Sequence, residues 1–178
     1  MARLAVAGST GVNDWSVFYD EHFDFVWRSL RRLGVPEASL DDAAQEVFLV
    51  AFRRAKEFEG RSSVRTWLFG IAWNRARELL RGARRRPEEP LPDVLPAAPR
   101  ADQEQTAIER EALRFAYRVL DELAPERRAV LVMVDVEEMT GVEIAEILRV
   151  PVNTVYSRVR QLREGLRRML GEEEVRRG

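Results

Sequence analysis

Residues 140–163 read TGVEIAEILRVPVNTVYSRVRQLR, and the fold of the chain turns on them. Thr140-Gly-Val-Glu143 has capping-box spacing, a hydroxyl and a carboxylate three residues apart ahead of an apolar run. It opens a short helix carrying Ile144, Ala145, Ile147 and Leu148. Arg149-Val-Pro151 makes a turn, because proline disfavours helical backbone in the residue before it. A second helix follows from near Val152 to Leu170, with Gly171 as its stop. Small Ala145 permits a close crossing, and Val155 and Val159 form the inner face of the second helix. Thr154, Tyr156, Ser157, Arg158, Arg160 and Arg163 are left on or near its outer face. Two helices across a tight turn, the second one basic, make the helix-turn-helix pattern. Its second helix enters the major groove N-terminus first, where Arg bonds guanine edges and Ser or Thr bonds bases or phosphates. Periodicity alone also fits a helical bundle with an arginine-rich surface helix.

Outward from this stretch, nearly every segment has helical periodicity. Ser16 to Leu33 places Phe18, Phe23, Val26, Trp27 and Leu30 on or near one face, and Gly34-Val-Pro36 ends it. Ser39-Leu-Asp-Asp42 has capping-box spacing and opens a helix to about Phe58 with Val47, Phe48, Ala51, Phe52 and Ala55 apolar. The polar loop Glu59-Gly-Arg-Ser-Ser63 breaks the pattern, and a third helix follows from Val64 to Arg81. Five prolines between Arg84 and Arg100 forbid a regular helix or strand ladder there. Helices resume near Asp102, with Leu113, Ala116, Tyr117, Leu120 and Leu123 apolar, then a short apolar helix from Arg127 to Val136. The expected fold is all-α, two small helical domains on a Pro-rich linker. The segments are 1–15 as a disordered tail, 16–86 as the first domain, 87–104 as the linker, 105–171 as the second domain and 172–178 as a charged tail.

Charge is segregated along the chain. Between Arg61 and Arg86 there are eight arginines against the single Glu78, and Pro151 to Gly178 holds seven arginines against four glutamates. Pro87 to Glu126 between them is acidic, ten carboxylates against four arginines. Two basic blocks within helical patterns are candidate footprints for a phosphate backbone. The formal net charge of −1 hides this. With no cysteine, and His22 the only histidine, the chain lacks a thiolate metal site, a His cluster and a nucleophile–His–acid set. It is expected to be no enzyme and to need no cofactor. No apolar run reaches bilayer-spanning length, and Met1 to Gly11 lacks the parts of a signal peptide, so a cytoplasmic protein without membrane insertion is expected.

Thr154-Val-Tyr-Ser-Arg158, preceded by Glu143-Ile-Ala-Glu-Ile-Leu148, resembles the promoter-reading helix-turn-helix of sigma factors, with Asn153 in place of the usual glycine and Tyr156 where a basic residue is common. Leu123-Ala-Pro-Glu-Arg-Arg128 is similar to the opening of that family's region four. Independently, Asp42-Ala-Ala-Gln-Glu-Val-Phe48 resembles the polymerase-binding helix of region two. Phe58-Glu-Gly-Arg-Ser-Ser63, Thr66-Trp-Leu68, Ile71-Ala72 and Asn74 resemble the segment that opens and reads the minus-ten element. The short linker, leaving no room for region three, places the resemblance in the extracytoplasmic-function (ECF) group of the sigma-70 family.

The resemblance implies a task for each of these segments. By it, Asp42, Gln45 and Glu46, with Phe48 beside them, are the contacts to RNA polymerase core, at the clamp of the beta-prime subunit; the second domain meets the flap of the beta subunit. Arg61, Ser62, Ser63, Arg65, Thr66 and Asn74 take an extruded base of the minus-ten element, and Arg75, Arg77 and Arg81 hold the strand's phosphates. Thr154, Tyr156, Ser157, Arg158, Arg160 and Arg163 meet the minus-thirty-five element. Promoter DNA and an anti-sigma factor are the further partners that the resemblance implies, and the acidic linker runs near the RNA exit path. Phe48 and Phe52 lie nearer the apolar side of their helix. Trp67 is either a stacking platform or a core residue, and Trp73 has the more exposed place. A DNA-binding regulator acting without polymerase, or a helical adaptor, remains open: the first shares the helix-turn-helix but leaves Asp42 to Phe48 and Phe58 to Asn74 unexplained.

Overall fold

The structure, a computed structural model, describes residues 12–85 and 107–177. Seven α-helices are seen among them: α1 (Val12–Arg32), α2 (Leu40–Arg54), α3 (Val64–Arg85), α4 (Ala107–Asp121), α5 (Pro125–Leu131), α6 (Gly141–Leu148) and α7 (Val152–Arg177). No strand occurs among the described residues. The chain divides into two compact units, Met1–Pro125 and Glu126–Gly178. The division leaves α4 in the first unit, whereas the sequence reading groups residues 105–171 together. The linker at 87–104 lies outside the described residues, as do residues 1–11 of the N-terminal tail.

In the first unit α1, α2 and α3 pack on one another in pairs. Their shared core is Val26, Leu30, Leu33, Leu40, Ala44, Val47, Ala51, Leu68, Phe69, Ala72 and Trp73, all buried. Burying side chains of this kind contributes about 1.5–3 kcal/mol each. Trp73, better placed for exposure than Trp67 by periodicity, is 1% exposed and is the largest fully buried side chain among the described residues. It lies one turn on from Phe69 and Ala72 to Ala76, and so falls on the core arc of α3. The half-buried Trp67 packs against Phe58 at 5.1 Å instead. Phe52 goes the other way from its assignment, to 58% exposed.

Helix ends differ from the sequence reading in three places. α1 starts at Val12, inside the segment read as a tail. The Ser39–Asp42 capping box does not form: a 3-10 turn at Glu37–Ser39 runs into α2, and Ser39 makes no side-chain cap. Asp41 accepts a hydrogen bond from Trp27 Nε1 at 3.0 Å, tying α1 to α2. At the C-terminus α7 passes through Gly171 to Arg177, so the expected charged tail is helical. One interior glycine costs only about 1 kcal/mol, too little to end a helix of 26 residues.

In the second unit α6 and α7 pack together, with Ile144, Val155 and Leu162 buried. The helix that periodicity runs from Arg127 to Val136 is α5 followed by a π-type turn at Val132–Val136. Pro125 opens α5, where a missing N–H costs nothing.

Candidate nucleic-acid interface

α3 carries the first surface. Gly60, at φ 71°, turns the chain into a loop that no L-residue adopts without strain, and exposed Arg61 pairs with Glu59 at 3.0 Å. The Ser63 hydroxyl accepts the Thr66 backbone N–H at 3.0 Å and lies 2.9 Å from Thr66 Oγ1. Ser63 therefore caps α3 and sets its direction, rather than standing free. Ser62 Oγ donates weakly to Ser63 O at 3.4 Å.

Beyond the cap, Thr66, Gly70, Asn74, Arg77 and Arg81 recur at i, i+4, i+8, i+11 and i+15, and so share one stripe away from the core. Half-buried Asn74 is held by two bonds: Nδ2 donates to Gly70 O at 3.0 Å, and Oδ1 accepts from Arg77 Nη2 at 3.4 Å. Arg81 is exposed.

Arg75 and Arg65 fall off the stripe. Arg75 faces α2, where Nη2 donates to Glu46 Oε1 at 2.8 Å and Nε stands 2.6 Å from Oε2, with Glu78 3.6 Å away. This fork ties α2 to α3 and joins two residues that the sequence reading gives separate tasks. The Arg65 guanidinium lies 4.2 Å over the Phe25 ring.

The exposed face of α2 is the second surface. Asp42 and Gln45 are exposed on it, Glu46 is half-buried in its pair, and Phe48 is 3% exposed against Tyr19 at 4.6 Å. Phe48 therefore packs the core and has no surface to offer a partner. Leu49 and Phe52, 53% and 58% exposed, form the apolar surface of this face instead, with Trp15 at 5.1 Å from the Phe52 ring. Leu49 stands two residues after Val47, out of step with the buried stripe, and this was the available signal. Burial, then Asp20 and Asp41, push the Tyr19 phenol up from its usual value and keep it neutral at this face.

The third surface is α6–α7. The Thr140–Glu143 capping box forms: Oγ1 accepts the Glu143 N–H at 3.3 Å, and Glu143 Oε2 accepts the Thr140 N–H at 2.9 Å. On α7 the exposed Asn153, Tyr156, Arg160 and Arg163 face outward, while half-buried Thr154, Ser157 and Arg158 flank them. Arg158 and Arg160 form no ion pair among the described residues; Arg163 stands 3.6 Å from Asp135. Ser157 Oγ donates to Thr154 O at 2.9 Å, leaving its lone pairs outward. Tyr156 is 60% exposed, yet its ring end lies on the first residue of α6: a Cβ at Gly141 would meet Tyr156 Oη at 2.9 Å. Sequence reasoning missed Asn153 because its family position is a glycine, and missed the Gly141 contact because nothing local encodes it.

No group of three or more His, Cys, Asp or Glu able to hold a metal exists among the described residues, and no helix there is long and apolar enough to cross a membrane.

Comparison with known proteins agrees across both units. The family model of Sigma-70 region 2 matches residues 18–86, and that of Sigma-70 region 4 matches 116–166. The chain is 36% identical over 157 residues to the ECF RNA polymerase sigma factor SigM of Mycobacterium tuberculosis H37Rv, covering 86% of this chain and 77% of the relative. It is 29% identical over 141 residues to the ECF RNA polymerase sigma-E factor of Escherichia coli K12, covering 74% of each. Two solved structures share the fold. CnrH in complex with the cytosolic domain of CnrY has a TM-score of 0.67 at 24% identity, over 94% of each chain. RpoE in complex with the anti-sigma factor NepR from Bartonella quintana has 0.71 at 19%, over 90% of this chain and 98% of that one.

Proposed function

The chain belongs to the ECF group of the sigma-70 family, and from that premise we propose how its three surfaces divide the work of promoter-specific initiation. As a sigma factor it directs RNA polymerase core to promoters and catalyses no reaction itself. The face of α2 binds core, at the clamp of the beta-prime subunit. Asp42 and Gln45 offer polar contacts there, and Leu49 and Phe52 offer the apolar area that a stable interface needs at its centre. Phe48 supports this face from beneath, and the Glu46–Arg75 fork fixes it against α3.

The stripe on α3 takes the minus-ten strand. Arg77 and Arg81 hold phosphates, while Thr66, Asn74 and the Arg61–Ser63 loop surround an extruded base. Arg65 covers Phe25 at the loop's edge. Opening the duplex draws on the binding energy of unpaired bases trapped on the protein. The outer face of α7, from Thr154 to Arg163, enters the major groove of the minus-thirty-five element, with Arg158 and Arg160 free to bond guanine or phosphate. Residues 16–86 and 105–171 act as the two recognition domains, the second also meeting the flap of the beta subunit, and 87–104 join them. The protein works in the cytoplasm with the polymerase. An anti-sigma factor holds it when idle, as NepR accompanies the RpoE of similar fold.

The observation that carries this reading is that one chain holds the α3 stripe, the basic outer face of α7 and the half-apolar face of α2 together. It is tested by mixing the purified chain with bacterial core polymerase and tracking complex formation by size exclusion, then promoter opening by fluorescence of a base analogue in the minus-ten element. Co-elution and opening are expected, and Asn74→Ala should retain the first and lose most of the second. A chain that fails to co-elute with core while its C-terminal half still binds DNA leaves a stand-alone regulator.

A further inference from the structure

Two helices end in the same hydrogen-bonded motif with different residues at its critical place. After α1, Val35 N–H donates to Leu30 O at 3.1 Å and Gly34 N–H to Arg31 O at 3.0 Å, with Gly34 at φ 93°. After α6, Val150 N–H donates to Ala145 O at 3.1 Å and Arg149 N–H to Glu146 O at 3.3 Å, with Arg149 at φ 55°. Both are Schellman ends, whose left-handed residue is usually glycine, because any Cβ there crowds the following carbonyl. Arg149 meets that strain and is not relieved by a partner: it is exposed, and its side chain makes no ion pair or hydrogen bond among the described residues. Glu138, at φ 50°, is the other left-handed non-glycine residue among the described residues, and its carboxylate has the wrong sign for a phosphate.

We propose that Arg149 is a phosphate-binding residue at the rim of the major groove, positioning α7 without reading sequence. Its location supplies the geometry. It stands three residues before Val152, where α7 begins, in the turn that delivers the recognition helix N-terminus first. The groove is about 12 Å wide and walled by phosphates on both sides. A long cationic side chain projecting from that turn therefore meets the backbone and not base edges, and a bidentate guanidinium suits a phosphate. The strain is retained because glycine at this position would give the turn but not the charge. The competing account is that the cation offsets the dipole at the C-terminus of α6.

The proposal rests on the sigma-factor reading, and its test separates the two. Arg149→Gly and Arg149→Lys are compared with wild type in the holoenzyme, measuring affinity for a promoter fragment and for one with a scrambled minus-thirty-five element, across a salt series. Arg149→Gly should raise the melting temperature of the free chain by about 2–4 °C, because the strain is removed. It should also weaken both fragments by a similar factor, about five- to tenfold, and lower the salt slope by about 1. Arg149→Lys should keep most of the affinity and the slope. Unchanged affinity and slope in Arg149→Gly overturn the proposal. So does a loss confined to the intact element, which marks a base reader, and so does a lowered melting temperature, which assigns the charge to the end of α6. Wild-type holoenzyme that fails to bind the promoter at all overturns the sigma-factor reading instead.

Discussion

Trp73 and Trp67 sit six residues apart on α3, and their surroundings set opposite roles. Trp73 is sealed at 1% exposure, so Trp73→Ala opens a large cavity and should cost about 3–5 kcal/mol in chemical denaturation. Trp67 is half-buried against Phe58, and Trp67→Ala should cost less than half as much in the same assay. Gly141 and Tyr156 make a second pair whose logic lies in one contact. The Gly141→Ala methyl meets only the end of the Tyr156 ring, which can swing away, so stability should hold or rise by up to about 1 kcal/mol. Promoter affinity should shift as it does in Tyr156→Ala, and the double variant should show little further change. Independent, additive effects would mean that Gly141 does not set the place of the ring. At this scale the sequence was least legible. Helical periodicity sorts residues into arcs, but Phe48 and Phe52, four residues apart, share nearly one arc and differ only by a turn along the axis. Only the packing of α1 against α2 decides which ring is covered.

Elements were far more legible, because their signals are local and additive. Thr140 and Glu143 form their capping box and Pro125 opens its helix, as spacing dictates. Ser39 does not, because a preceding 3-10 turn already satisfies the entry to α2. Gly171 fails as a stop because one glycine is a weak breaker in a long helix. On α2 the exposed Leu49 and Phe52 contribute little to folding, so Leu49→Ser with Phe52→Ser should alter stability by no more than about 0.5 kcal/mol per site. Core affinity, measured by fluorescence titration, should nevertheless fall at least about tenfold, which corresponds to about 1.4 kcal/mol. The Glu46–Arg75 fork is partly solvated, and Glu46→Gln should cost under about 1 kcal/mol of stability. A larger loss would show the fork to be a main tie of the bundle.

At the scale of the whole molecule, charge is the organising quantity. Two arginine-rich blocks flank an acidic stretch, and among the described residues all of their arginines but Arg61 lie within helix. Charge segregation along the chain thus offered two candidate footprints for a phosphate backbone before any motif was read. Spacing of the arginines did not reveal which would be drawn into pairs within the protein: Arg75 goes to Glu46, 29 residues away in sequence. On the phosphate contacts proposed for both blocks, binding would release counterions, so promoter binding by the holoenzyme should weaken linearly in log affinity against log salt, and Arg77→Ala with Arg81→Ala should reduce the slope by about 2. The most direct test of the account is transcription from genomic fragments by core polymerase with the purified chain, beside a variant carrying Asp42→Ala and Gln45→Ala. RNA starting at defined sites, and markedly less of it with the variant, is the predicted result. Starts that are absent, or that appear equally without the chain, would contradict it.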